Sequence, residues 1–371
     1  MTKVRHLLGI SGGKDSSALA IYLNDLYPQL TIEYYSCDTG KELEETYTLV
    51  DNLQAYLGKK IDLLQAAENS HLDPFDHFLQ VYGGFLPSSV TRWCTKKLKL
   101  DPFEKFVGDD LVISYVGIRD DENREGYISK KSNIQTIFPY RKNIWSEDVI
   151  QKVLQNSTKD IIAKFYEEEG ILDSIKLERA LKIVTTNVSP EFDRDRKLDS
   201  LLKVSIKAFN HVVFRFIKEF TNYPLSYLDK EDFPLLNNED GLVREDVFRI
   251  LRESGVGVPA YYEKREFEVD GKKGYYSRSR SGCYFCFFQQ KIEWVWLYEQ
   301  HPQLFAKAIE YEKEGYTWMQ DERLEELAAE ERRTQIKRDA IARASRQKKD
   351  SPYLLDLLDD AEGEGCAACF I

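Results

Sequence analysis

The feature that most restricts the fold is a six-residue loop, Ser11-Gly12-Gly13-Lys14-Asp15-Ser16, set between an apolar run and an apolar-periodic stretch. Val4 to Ile10 (VRHLLGI) has the continuous hydrophobicity of a strand buried on both faces. Ser17 to Leu26, closed by Pro28, has helical spacing. A glycine loop between strand and helix is suited to an anion. Glycines let the backbone approach closely and turn N–H groups toward the ligand, and the helix N-terminus adds a favourable dipole. Ser11 and Ser16 can donate hydroxyl bonds, and Lys14 can neutralise charge. Asp15 is out of character beside an anion unless it caps the helix or helps to hold Mg2+. The spacing is not that of a Walker A loop. The plain alternative is a helix cap with flexible glycines.

The same alternation continues downstream. Leu30 to Ser36 and Lys60 to Leu64 predict strands, with a helix over Glu42 to Leu57 between them, and Leu111 to Ile118 predicts another strand. This pattern implies an α/β, Rossmann-like parallel sheet with helices on both faces. Ligands of such sheets bind at the carboxyl ends of the strands, where the glycine loop and Asp38-Thr39-Gly40 both fall. The pattern then changes. Trp145 to Phe220 has helical spacing, as in Leu201, Leu202, Val204, Ile206, Phe209, Val212, Val213 and Phe216. Glu245 to Glu253 and the aromatic Ile292 to Tyr298 predict shorter helices. Asp321 to Lys349 predicts one long polar helix with little apolar face and a basic second half containing Arg332, Arg333, Lys337, Arg338, Arg343, Arg346, Lys348 and Lys349. The expected organisation is a loop-bearing domain over 1–145 and a helical insertion over 146–242. A cysteine-pair region over 243–320 completes the catalytic domain, followed by a basic helix and acidic tail over 321–371.

With 42% hydrophobic residues the chain can form a real core, and no run approaches the roughly 20 apolar residues of a membrane span. The N-terminus lacks the apolar core and cleavage site of a signal peptide, so the expected compartment is the cytoplasm, with no membrane partner. A net charge of −11 argues against a nucleic-acid coat protein but leaves local basic patches open. In a reducing compartment the six cysteines, Cys37, Cys94, Cys283, Cys286, Cys366 and Cys369, suit metal or redox chemistry better than disulfides. Cys283 and Cys286 form a C-x2-C pair that fits zinc or an iron–sulfur cluster, or is simply a pair of buried thiols. Cys37 reads as a core residue.

The loop SGGKDS resembles the pyrophosphate loop of the PP-loop ATP pyrophosphatases, the adenine nucleotide alpha-hydrolase superfamily. Within it the chain is similar to the phosphoadenylyl-sulfate (PAPS) reductase-like branch, and most of all to the DNA phosphorothioation sulfurtransferases. Four further stretches carry the resemblance: Cys37-Asp38-Thr39-Gly40 with Glu45-Thr46; Arg92-Trp93-Cys94-Thr95-Lys96-Lys97-Leu98-Lys99; Gly117-Ile118-Arg119 with Asp121, Glu122 and Arg124; and Ser281-Gly282-Cys283-Tyr284-Phe285-Cys286. They cover about residues 1–140 and 243–300.

The resemblance implies an ATP-dependent sulfurtransferase that splits ATP at the α phosphate, giving AMP and pyrophosphate. The split activates a nucleic acid for sulfur insertion, as in DNA phosphorothioate modification. It implies ATP and Mg2+ as cofactors, held by Ser11, Gly12, Gly13, Lys14, Asp15, Ser16, Asp38, Thr39, Gly40, Gly117, Ile118 and Arg119. Lys14, Asp15, Cys94, Lys96 and Arg119 would be the catalytic groups. Cys94, Cys283 and Cys286 would hold a [4Fe-4S] cluster, with zinc as the alternative. A cysteine desulfurase would supply sulfur, and DNA or tRNA would be the substrate, together with other subunits of a modification complex. The competing readings are a sulfonucleotide (PAPS or APS) reductase, a tRNA thiolation enzyme, and a nucleotide-binding subunit without turnover.

Overall fold

The computed structural model describes residues 3–122, 129 and 131–350, with the backbone alone for 346–350. Five parallel strands form one sheet in the order β3-β2-β1-β4-β5: β1 Val4–Gly9, β2 Ile32–Asp38, β3 Ile61–Gln65, β4 Leu111–Tyr115 and β5 Ile134–Ile137. The expected parallel α/β sheet is therefore present. β1 is central because its residues are apolar toward both faces, and Leu7 and Leu8 point opposite ways with no exposure at all. His6 lies opposite Ile32 on one side and Ile113 on the other. The chain winds outward from β1 to β3, then crosses back to β4. The switch point therefore lies between the carboxyl ends of β1 and β4, where an open sheet of this type leaves a crevice.

Helix α1 (Lys14–Leu26) is buried along Lys14 to Leu23, including its polar first turn, and α2 (Glu44–Leu57) follows β2. After β3 come α3 (Pro74–Val81) and α4 (Trp93–Thr95), which runs through a π-helical stretch, Lys96–Leu100, into α5 (Asp101–Val107). Helix π-turns of this kind collect at functional sites. Gly117 shows why β4 ends at Tyr115, short of the expected Ile118. The chain turns there to pass against α1, so closely that a Cβ on Gly117 would lie 2.9 Å from the Asp15 carbonyl oxygen.

The helical segment is α6 (Glu147–Leu154), α7 (Lys159–Glu169), α8 (Ser174–Thr185), α9 (Arg194–Val204) and α10 (Ile206–Phe220). Asp173, Asp193 and Ser205 cap α8, α9 and α10 by accepting the amides of Lys176, Arg196 and Ala208. Val149, Phe165, Phe209, Val213 and Ile217 pack into the same apolar core as Leu8, Leu19 and Ile113 of the sheet unit. The segment thus shares the core of the sheet. α11 (Arg244–Glu253) closes that core against α1.

A second core gathers around the hairpin β6 (Arg265–Val269) and β7 (Lys272–Tyr276), α12 (Lys291–Gln300) and α13 (Pro302–Glu310). Asp270 and Gly271 turn the hairpin with φ of 53° and 71°, the left-handed pair that a two-residue turn requires. Beyond it the expected single polar helix is broken into α14 (Leu324–Leu327) and α15 (Glu330–Asp350). The break has a cause: the Glu312 carboxylate accepts the amides of Trp318 and Leu324, fixing the chain ahead of α14. The stretch also has an apolar face, since Leu324, Leu327 and Ile336 are buried in the second core.

Candidate nucleotide site

The glycine loop leaves β1 at the switch point. Gly13 stands at the N-cap of α1 without a side-chain cap, so the first amides of the helix have no intrahelical acceptor and face the loop. Gly12 has φ of 67°, and a Cβ there would lie 2.2 Å from Thr46 Cγ2. A Cβ on Gly13 would lie 2.5 Å from Ser281 Oγ. Gly12 is therefore favoured by its backbone conformation as well as by space, while a side chain at Gly13 would displace Ser281. Ser16 Oγ accepts the Ser11 amide at 3.1 Å and sits 3.0 Å from Ser11 Oγ, which ties the two ends of the loop together.

Asp15 neither caps the helix nor stands open to a metal ion. Its Oδ2 takes the Lys14 ammonium at 3.0 Å and its Oδ1 takes the Arg119 guanidinium at 2.9 Å. Burial alone would raise this carboxyl, but Lys14 and Arg119 outweigh it and hold Asp15 well below the usual carboxylate range. Arg119 has 0% exposure and also binds Asp121 at 2.9 Å and Glu122 at 3.2 Å. It was expected to neutralise phosphate charge directly. As placed, its guanidinium is committed to three carboxylates and positions Asp15, and through it the loop. Ile118, expected at the ligand, instead packs with Val116 and Phe138 in a small apolar cluster. Gly117 serves by the close approach described above. Arg124, from the same motif, lies outside the described residues.

Distant segments complete the site. Tyr261 donates its hydroxyl to the Gly12 carbonyl at 3.2 Å, and the Lys14 amide donates to the Tyr262 hydroxyl at 3.3 Å. The Lys14 ammonium lies 5.3 Å above the Tyr262 ring, and Lys14 is only 2% exposed. The cysteine-pair turn docks on the loop after β2: Glu42 and Cys283 form a bridge, and the Tyr284 amide donates to the Lys41 carbonyl at 2.9 Å. Asp38 accepts the Gly40 amide at 2.8 Å and the Gln65 amide group at 3.0 Å, holding this loop in shape. The Thr39 hydroxyl donates to Glu42 at 2.6 Å, which leaves its oxygen for the Cys283 thiol at 3.2 Å. Burial, reinforced by the Glu42 carboxyl, pushes the Cys283 thiol up, and burial does the same to Cys286. Both are thus held as thiols. Cys37 donates to the Lys99 carbonyl at 3.7 Å and burial raises it to about 12, as suits a core residue.

Cys94 is half-buried beside Trp93 at the edge of the second core. Among the described residues no group of three or more His, Cys, Asp or Glu side chains could hold a metal ion. Cys94, Cys283 and Cys286, the expected ligand set, do not form such a group. Cys366 and Cys369 lie outside the described residues.

Lys96 is exposed on the π-helical stretch, and Lys97 pairs with Asp101 at 2.7 Å. Arg92 and Arg280 approach the Phe288 ring at 5.1 and 5.5 Å, drawing two more cations to this edge of the sheet. The basic second half of α15 has a different role. Arg332 binds Glu322, Lys337 binds Glu299 at 2.6 Å, Arg333 binds Glu299 at 3.7 Å, and Arg338 binds Asp270. These cations hold α15 to α12, the hairpin and the preceding turn. Tyr261, Tyr262, Arg278 and Ser281 were not singled out as site residues in the sequence. The signal for the last two was the polar run 277–282 that leads into the cysteine pair.

The fold and the loop define a doubly wound parallel α/β protein with a glycine loop at its switch point. Residues 5–171 match the family model for the phosphoadenosine phosphosulfate reductase domain. The match makes this part of the chain similar to that domain, and it runs past the sheet into α6 and α7. Two curated relatives are uncharacterized proteins of Methanocaldococcus jannaschii. One is 33% identical over 38% of this chain and 30% of its own length, the other 28% identical over 40% of this chain and 37% of its own. The chain thus spans about a third of the length of the relatives it matches. No solved structure matches significantly. Among the described residues no helix is long and apolar enough to cross a membrane.

Proposed function

We propose that the chain splits ATP between the α and β phosphates to activate an acceptor for sulfur insertion, the acceptor being a nucleic acid, most simply a DNA phosphate. The observation that carries the proposal is the loop itself: two glycines packed against Thr46 and Ser281, the N-terminus of α1, and the buried Lys14–Asp15–Arg119 network beneath it. Such an arrangement positions and neutralises a polyphosphate, which is most of what phosphoryl transfer asks of a protein. An acceptor oxygen attacks the α phosphorus and pyrophosphate leaves. A sulfur nucleophile then displaces AMP from the adenylylated acceptor. Mg2+ enters with the nucleotide, on its phosphate oxygens. No step is routed through a cluster. Support for a polyanionic acceptor comes from Arg92 and Lys96, both exposed near the carboxyl edge of the sheet, and not from the paired cations of α15. Sulfur would arrive from a cysteine desulfurase acting as a partner.

The test uses ATP labelled at the α phosphate, with sulfur-labelled cysteine, a desulfurase and DNA or tRNA. The expected products are AMP, pyrophosphate and sulfur-labelled nucleic acid, all lost in Lys14→Ala. A second reading, favoured by the match to the phosphoadenosine phosphosulfate reductase domain, is a sulfonucleotide reductase. It predicts thioredoxin-dependent sulfite release from PAPS with no pyrophosphate from ATP, and that result would sink the first reading.

A further inference from the structure

Arg278 is 1% exposed. Its Nη2 donates to the Cys283 carbonyl at 3.0 Å, while Nε and Nη1, both buried, have no hydrogen-bond partner among the described residues. Its guanidinium lies 5.9 Å from the centroid of the Tyr261 ring. The other buried arginine of the site, Arg119, is held by three carboxylates. A guanidinium presents five donors and keeps its charge at any pH a protein survives, so leaving it dry and without a counter-charge is strongly unfavourable. A fold that keeps such a group has a use for an anion there.

The surroundings say where that anion sits. Tyr261, whose ring lies under Arg278, donates its hydroxyl to the Gly12 carbonyl, and the Arg278 amide donates to the Tyr261 carbonyl at 2.8 Å. Three residues on, Ser281 is packed against Gly13 so tightly that a Cβ there would meet its Oγ. The 278–281 turn therefore spans the glycine loop from the far side of the chain. Arg278, Arg280 and Ser281 all lie beyond residue 171, where the family match ends.

We infer that Arg278 is a binding residue that takes a phosphate-type oxyanion at the glycine loop, with Nε and Nη1 forming a fork on two of its oxygens. Planar two-point recognition of this kind is what guanidinium offers a phosphate. The inference rests on the loop being the nucleotide site. The oxyanion has two sources, the polyphosphate of the nucleotide and a phosphate of the acceptor.

The experiment measures binding of ATP, inorganic pyrophosphate and a short DNA oligonucleotide to the wild-type chain, Arg278→Met, Arg278→Lys and Lys14→Ala, with thermal melts of each protein free of ligand. Arg278→Met is expected to lose about 10- to 100-fold in affinity, the range of a charged two-point contact. Its ligand-free melting temperature should stay level or rise, because a buried uncompensated charge has gone. Arg278→Lys, which keeps charge but not the fork, should fall between. Loss confined to ATP and pyrophosphate assigns the nucleotide as the source, and loss confined to the oligonucleotide assigns the acceptor. Unchanged affinity for all three ligands overturns the inference. So does a ligand-free melting temperature lowered by several degrees with no selective loss, which would make Arg278 a prop for the Cys283 turn. If Lys14→Ala binds all ligands normally while Arg278→Met does not, the loop reading fails and the role of Arg278 stands.

Discussion

Replacing Arg119 with Met keeps length and apolar bulk but removes the cation shared by Asp15, Asp121 and Glu122. Asp15 and Glu122 are nearly sealed from water, at 5% and 8% exposure, so neither carboxylate can recover its solvation. Breaking a buried pair by removing one partner costs about 3–5 kcal/mol. At about 2.1 cal/mol/K of unfolding entropy per residue, that lowers the melting temperature of a chain this long by about 4–6 °C. Asp15→Asn should cost a similar amount by leaving Lys14 and Arg119 facing each other. The double variant should be less harmful than the sum of the two, with a coupling of about 1–3 kcal/mol. The pH dependence has a definite sign. Asp15 is held below its unfolded value near 3.9, so its contribution is complete above about pH 4 and disappears as the pH falls through its depressed folded value. The stability gap between wild type and Asp15→Asn should therefore close on acidification below pH 4. Calorimetry from pH 7 to pH 2 measures all of this. An Arg119→Met variant melting with wild type, or strict additivity of the two changes, would refute the network as described.

Gly12→Ala should abolish nucleotide turnover, because φ of 67° disfavours the new residue and its methyl would strike Thr46; steady-state pyrophosphate release measures it. Ser16→Ala unties Ser11 and should lower the same rate by at least about tenfold while leaving the far-UV circular dichroism unchanged. With their thiols pushed up by burial, Cys283 and Cys286 should alkylate much more slowly at pH 8 than an exposed cysteine peptide, and Thr39→Val should alter the Cys283 rate selectively; mass spectrometry of iodoacetamide-treated protein reads both. Lys337→Ala loses its contact with Glu299 and its packing over Phe267, so it should destabilise the chain by about 1 kcal/mol while leaving the salt dependence of DNA binding unchanged.

Much of the first 120 residues was legible. β1, β2, β3 and the helices between them were readable because each is a local pattern, an apolar run or a helical spacing ended by glycine or proline. Several elements went unread, among them β5 and the β6–β7 hairpin. β5 is only four residues long, and its pattern, Ile134-Gln135-Thr136-Ile137, carries polar residues that the structure buries. The Gln135 side-chain oxygen accepts the Leu225 amide at 3.0 Å. The β6–β7 hairpin did carry a local signal, Asp270-Gly271 between alternating residues, and could have been found from it. The long helix after Asp321 was drawn unbroken because Glu312, which fixes the chain ahead of it, lies outside its own periodicity.

By itself the sequence determined the glycine loop and the strand and helix that hold it. Those depend on backbone freedom at Gly12 and on apolar spacing, which neighbouring residues carry together. Only the tertiary structure decided what each charge does. Lys14, Arg119, Arg332 and Lys337 look alike in a sequence, as cations available to phosphate. Packing gives Arg119 three carboxylates and Lys337 a partner on α12, and it leaves Arg278 buried with two unused donors. Likewise the spacing of Cys283 and Cys286 suggested a ligand pair, and the tertiary structure decided that Cys283 sits against Thr39, bridged to Glu42. The physical reason is the same in each case. The fate of a polar group is set by whichever partner the two cores bring within about 3 Å, and that partner is often more than 200 residues away along the chain.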